Sequence, residues 1–189
     1  MAKYFKATED EYWQSPENYR TITSKSPVAT SFFVIGADDS DVAPVAAVLA
    51  LKPGDIIGHH AHSCDRFEVV VRGSLAVEGG ETLVPGDIMV SRSGEFYGPH
   101  VAGPEGCVTV EIFSDAIGAK TVLFKLADGS VREVAAEAAG DDGVLDELLV
   151  KNDEWVPERL AAIMGMASGA AEWTALVDSL YARQIGSSE

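Results

Sequence analysis

Between residues 30 and 114 the chain is cut into short apolar runs by glycine and proline, and the cuts come too often for helices to form. The runs cover residues 30–36, 43–51, 55–62, 66–73, 74–79, 81–84, 87–91 and 107–114. Turn signals stand between them: Ala37-Asp38-Asp39, Lys52-Pro53-Gly54, Gly79-Gly80, Pro85-Gly86-Asp87, Ser93-Gly94 and Gly103-Pro104-Glu105-Gly106. Many short strands at close spacing predict a mainly β sandwich or barrel. Apolar residues make up 47% of the chain, enough to fill the interior of one.

The flanks differ in character. Residues 1–27 are polar and aromatic, with Tyr4, Phe5, Tyr12, Trp13 and Tyr19, and read as an arm that lays aromatic rings on a neighbouring surface. Residues 120–137 read as one more hairpin, turning at Asp128-Gly129. From Gly140 the period becomes helical. Leu145, Leu148 and Leu149 fit one short helix, Pro157 suits a first helical position, and Trp173, Leu176, Val177, Leu180 and Tyr181 form one apolar stripe. The expected organisation is an arm over 1–27, a β-barrel over 28–137 and a helical extension over 138–189, its stripe packed on the barrel or on a partner subunit.

Charge and hydropathy narrow the classes of partner. The formal net charge is -16, which disfavours nucleic acid and anionic membrane surfaces. No apolar run reaches the roughly 20 residues that span a bilayer. The first residues, MAKYFKATEDEYWQS, lack the pattern of a secretory signal. Cys64 and Cys107 are too few for a disulfide framework. A cytoplasmic protein with reduced thiols, acting on a small molecule, is the expectation.

Chemistry concentrates in GDIIGHHAHSCDRFEVVVRG, residues 54–73, which holds three of the four histidines. Side chains alternate along a strand, so His60, His62, Cys64, Arg66, Glu68 and Val70 share one face, with His59 on the other beside Phe67 and Val69. Two imidazoles at i and i+2 can reach one metal ion, and they can equally form a polar pair lining a pocket. Glu68 reads either as a ligand or base or as the ion-pair partner of Arg66 or Arg72. Cys64 is either a soft ligand or a small buried side chain.

The Gly54…His60-Ala61-His62…Gly73 run, followed by Pro85-Gly86-Asp87, resembles the two motifs of the cupin superfamily over about residues 43–115. The resemblance implies a double-stranded β-helix, the jelly-roll barrel, and a divalent metal held by the motif histidines. Fe(II) is favoured, and Zn, Mn, Ni or Cu suit the same donors. The slot that the family fills with a glutamate falls on Arg66, with Glu68 two residues on. The slot of the second-motif histidine falls on Tyr97, with His100 three residues on. The stretch FYGPHVAGPEGCVTVEIF is similar to cupin dioxygenases that cleave carbon–carbon bonds, some of which use three histidines.

On that basis His60, His62 and His100 are the expected metal ligands. Arg66, Glu68 and Tyr97 are the expected residues around the substrate, a small enolisable ketone or phenol, in a metal-dependent oxidoreductase. Two alternatives stand beside it: a non-oxidative isomerase or lyase, and a metal-free binding barrel in which Arg66 and Tyr97 have displaced the ligands. An acidic barrel with an aromatic arm and an apolar tail stripe also implies a homodimer, as cupins often form.

Overall fold

A computed structural model describes residues 2–6, 9–25, 29–37, 39–126 and 128–135. The expected helical extension, residues 138–189, lies outside the described residues. Ten strands carry the fold: β1 (Ala29–Val34), β2 (Val45–Leu51), β3 (Ile56–Ile57), β4 (Ala61–His62), β5 (Arg66–Ala76), β6 (Thr82–Leu83), β7 (Ile88–Ser91), β8 (His100–Phe113), β9 (Thr121–Lys125) and β10 (Val131–Ala135). They form two antiparallel sheets. The larger runs β1-β2-β8-β5-β6, with β3 also on β8 and β7 on β5; the smaller runs β10-β9-β4. The His62 ring of the small sheet stands 4.7 Å from the Phe113 ring of the large one, so the sheets face each other across one interior. This mainly β, two-sheet barrel is the jelly-roll fold that the motifs imply.

Strand register explains what lies inside. β5 and β8 pair Arg66 with Phe113, Glu68 with Glu111 and Val70 with Thr109. Directly opposed residues share a face, so this ladder lines the interior. At one end Phe113 joins Tyr19, Phe32, Val45, Ala47 and Cys64 in an apolar cluster. At the other, Val70 joins Leu51, Leu75, Ala102 and Cys107. The polar rungs lie between these two clusters.

The first part of the arm covers the outside of the same sheet, while Tyr19 of its helix joins the apolar cluster at the inner end. The arm contains a turn at Asp10–Trp13 and helix α1 (Glu17–Lys25). Trp13 packs on Ala29, Val48 and Ala50, with Tyr12, Phe33, Val108 and Val110 around them. Ser31 Oγ donates to the Tyr12 carbonyl at 2.6 Å, and the Ser15 hydroxyl accepts from Phe32 N at 3.1 Å. Phe5, Tyr12, Trp13 and Tyr19 of the arm therefore rest on this chain's own β1 and β2, and Tyr4 stays exposed.

Three boundaries differ from expectation. Residues 55–62 are two strands, not one: β3 belongs to the large sheet and β4 to the small. Residues 66–79 contain one long strand, β5, bulged at Val71 between Val70 and Arg72, with its register to β8 shifted again between Gly73 and Leu75. β8 begins at His100 and continues past Gly103-Pro104-Glu105-Gly106, where the sequence signals a turn; these four residues bulge out opposite Ser74 without ending the strand. Gly73 of β5 meets β8 at the edge of that bulge: Gly73 has φ +70°, and a Cβ there would run into the Gly106 carbonyl. No helix among the described residues is long and apolar enough to cross a membrane. Cys64 and Cys107 are both buried and free.

Candidate functional site

β4 contributes His62 and the turn before it His60. Backbone bonds hold His60 to Tyr97: His60 N donates to Tyr97 O at 3.1 Å and Tyr97 N to His60 O at 2.9 Å. The approach is close. Gly98 has φ +88°, and a Cβ there would stand 3.0 Å from the Gly58 carbonyl oxygen. A side chain at 98 would push the Tyr97 loop off the histidine turn.

Carbonyl groups set the imidazole tautomers. His60 Nδ1 lies 2.7 Å from Gly58 O and His62 Nδ1 lies 3.1 Å from Gly118 O. A carbonyl only accepts, so each Nδ1 carries the proton and each Nε2 has its lone pair free to accept. For His60 that lone pair takes the hydroxyl proton of Tyr97, at 2.9 Å. Burial, reinforced by the charge of Arg66, lowers His62 to about 4. Burial also drives His60 well below the ordinary range, with His62 adding to it. Both rings are neutral at pH 7.

Arg66 is at the centre. Its guanidinium carbon lies 3.9 Å above the Tyr97 ring. Its Nη2 donates to Glu68 Oε2 in a short bond and stands 3.3 Å from Glu111 Oε1. All three side chains are buried. Burial opposes the charge on Arg66, but Glu111, Tyr97 and Glu68 outweigh it and hold the guanidinium protonated. Burial raises Glu111 to about 7, with Glu68 pushing the same way against Arg66. Tyr97 is held far above its usual range, chiefly by burial.

His100, at the start of β8, is buried and stacks on Tyr97 with ring centres 5.6 Å apart. Burial lowers it to about 4. Its Nδ1 has no hydrogen-bond partner among the described residues, and the same holds for Arg66 Nε and Nη1, Glu68 Oε1 and Thr109 Oγ1.

All six expected site residues thus meet in one interior, but they do not meet as a metal site. His60 and His62 face each other at 5.3 Å between ring centres. Tyr97 lies against both His60 and His100, at 4.5 and 5.6 Å, and its hydroxyl occupies His60 Nε2. The two nearby carboxylates are engaged by Arg66. Among the described residues no three His, Cys, Asp or Glu side chains are grouped to hold a metal ion. A divalent ion here would face a fixed guanidinium, with neither carboxylate free to offset it. The side chains as arranged do not fit the metal that the motifs imply.

Of the remaining candidates, His59 stacks on Phe96 at 5.4 Å, away from the cluster. Cys64 belongs to the apolar end. Two participants escape a reading of the sequence. Glu111 is one; the alternation Cys107, Thr109, Glu111, Phe113 marks it as inward-facing, but its pairing with Glu68 exists only in the folded register. The Gly118 carbonyl is the other, and the sequence carries no signal for it.

The fold and this interior together define a jelly-roll barrel with a guanidinium at its centre. No family model matches the chain, and no curated protein matches it. Among solved structures it is similar to an acetylacetone dioxygenase from Acinetobacter johnsonii, with 17% identity and a TM-score of 0.46 over 74% of this chain and 91% of that one. It is also similar to KdgF from Halomonas sp., with 21% identity and a TM-score of 0.42 over 61% of this chain and 96% of that one. An RmlC-like cupin protein from Ralstonia eutropha is similar at 13% identity and a TM-score of 0.41, over 67% and 75% of the two chains.

Proposed function

We propose that the barrel binds a small polar organic molecule without a metal, with Arg66 as the fixed cation of the site. One observation carries this reading: a buried guanidinium stands over Tyr97, bonded to Glu68 and Glu111, where a metal would need open carboxylates. Unpartnered buried donors and acceptors each cost about 1–3 kcal/mol. Arg66 Nε and Nη1 are donors, Glu68 Oε1 is an acceptor, and Thr109 Oγ1 is both. A ligand that matches them has a carbonyl or carboxylate to accept from Arg66 and a hydroxyl to donate to Glu68. Hydroxy and keto acids have both features.

The chemistry within reach is proton transfer. His62 is neutral, with Nε2 unprotonated, and Glu111 carries a proton for part of the time near pH 7. With His62 lowered to about 4, Glu111 at about 7 is the group matched to exchange a proton with such a ligand, as the isomerase or lyase class requires.

The second reading is the metal-dependent dioxygenase. It is favoured by the carbonyl-fixed tautomers, which present both Nε2 atoms as metal-binding histidines do.

Elemental analysis after anaerobic loading with Fe(II) separates the two, run beside calorimetry of chelator-treated protein with glycolate, lactate and pyruvate. The expected result is no stoichiometric metal, with binding that persists in chelator and is lost in Arg66→Met. Near-stoichiometric iron that disappears in His60→Ala/His62→Ala overturns the first reading in favour of the second.

A further inference from the structure

Taking Arg66 as the cation of the site, the reading given above, we infer that the barrel selects neutral hydroxyketones over hydroxy acids, because that one charge is already shared by two buried carboxylates. Among the described residues, Arg66, Glu68 and Glu111 are the only buried side chains of the Arg, Lys, Asp and Glu types. Both carboxylates meet the same nitrogen. Glu68 Oε2 accepts from Arg66 Nη2 in a short bond, and Glu111 Oε1 stands 3.3 Å from that atom. His60 accepts from the Tyr97 hydroxyl and adds no charge. His62 and His100 are neutral at pH 7, and Tyr97 keeps its proton. One guanidinium therefore stands against two carboxylates. Glu111, raised to about 7, is consistent with that imbalance: burial and Glu68 together outweigh Arg66 and keep a proton on it in the neutral range.

A third carboxylate adds to the excess. An anion that accepts from Arg66 Nε or Nη1 bonds to the guanidinium that Glu68 and Glu111 already bond, so its charge stands on the order of 5 Å from each of theirs. Coulomb energy falls only as the inverse of distance, so one attraction at about 4 Å set against two repulsions at about 5 Å leaves the anion no net gain. The anion also gives up its hydration on entry. A ketone oxygen accepts the same hydrogen bond as a dipole and meets none of this repulsion.

The unpartnered groups suit such a molecule along its length. Arg66 Nε and Nη1 are donors for the carbonyl oxygen, and Glu68 Oε1 is an acceptor for the hydroxyl. Thr109 is fully buried on the inner face of β8, and its unpartnered Oγ1 suits a second hydroxyl. Val70, which pairs with Thr109, belongs to the apolar cluster that bounds this end of the interior, so the molecule is short. An ammonium is a poorer fit than either. It has three hydrogens to donate, and the open N–H groups of Arg66 would face it.

Hydroxyacetone and glycolate share a hydroxymethyl group on a carbonyl carbon and differ in a methyl against a charged oxygen, so the pair isolates the charge. Ligand-observed NMR titrations of the full chain in chelator, at pH 8 where Glu111 is ionised, should give hydroxyacetone a dissociation constant at least about tenfold below that of glycolate. Glu111→Gln removes one of the two negative charges with little change of shape. In that variant, checked for its fold by circular dichroism, glycolate should gain about tenfold and the preference should close. Equal affinity, or tighter glycolate, in the unsubstituted protein overturns the selection of neutral ligands and leaves Arg66 as the cation of the site. An unchanged preference in a folded Glu111→Gln also overturns it, since the site would then read the methyl and not the charge. Binding of neither molecule overturns both the selection and the proposed function.

Discussion

Arg66 occupies the inner face of β5 with its Nη2 shared between Glu68 and Glu111, and all three groups are buried. Removing one partner from such a set strands the rest. Arg66→Leu leaves Glu68 and Glu111 facing each other without a cation, and a loss of about 3–5 kcal/mol in urea unfolding at pH 7.5 is expected. Replacing all three by Leu removes every stranded charge and should restore most of that stability, with ligand binding still absent. If the triple variant is as unstable as the single one, the cluster contributes more to folding than its desolvation cost allows. Tyr97→Phe tests the neighbouring contact. The hydroxyl donates to His60 Nε2 and so favours the neutral ring; without it the His60 titration followed by NMR should move upward. The sequence shows Arg66 and Glu68 as one face because strand parity holds along β5; His62 joins them from β4 in the facing sheet, and His60 from the turn before it, so their meeting is a result of the fold and not of parity along one strand. Nor does the sequence show that Tyr97 caps one imidazole or that Glu111 answers Glu68, since both contacts join strands that the sequence leaves unpaired.

Helix α2 (Ala116–Ala119) shows how a four-residue element positions the site. Asp115 caps it, its Oδ1 accepting from Gly118 N at 2.7 Å. That turn aims the Gly118 carbonyl at His62 Nδ1. Gly118 also abuts Cys64, and any Cβ there would overlap the Cys64 side chain. Gly118→Ala should therefore cost about 1–3 kcal/mol through overpacking and shift the His62 ring resonances, while Asp115→Ala should cost about 1 kcal/mol through the lost cap. Thermal melts and histidine NMR read both. An unmoved His62 signal in Gly118→Ala would mean that the ring is held by something other than this carbonyl. Elements with their own local signal are legible in the sequence. The β9–β10 hairpin turns where Asp128-Gly129 predicts, with Asp128 Oδ1 accepting from Ser130 N at 2.9 Å. α2 has no periodicity to detect, and β8 takes up its Gly-Pro-Glu-Gly signal as a four-residue bulge opposite Ser74 rather than as a chain reversal.

The interior encloses three histidines and Glu111 with displaced titrations, and they act on stability in opposite directions. His62 and His100 are lowered to about 4 in the folded protein, chiefly by burial. Unfolded, each titrates near 6.5. As pH falls from about 6.5 towards 4, the unfolded chain takes up protons that the folded one refuses, and stability is lost over that window. His60 adds to the same loss. Glu111 works the other way. Raised to about 7, it keeps its proton when folded and loses it when unfolded, so its contribution is full at low pH and disappears as pH rises through about 7. The histidines outnumber it, and a net fall of at least about 3 kcal/mol between pH 7 and pH 4 is expected, with little change above 7. Glu111→Gln removes the opposing contribution and should make the fall steeper, and His100→Gln should make it shallower. Urea midpoints measured from pH 4 to 8 on the three proteins give the slopes directly. A flat wild-type profile would mean that the histidines charge freely inside the fold, which requires water to reach them. The interior would then be a solvated pocket, and Arg66 would no longer be confined to its two carboxylates.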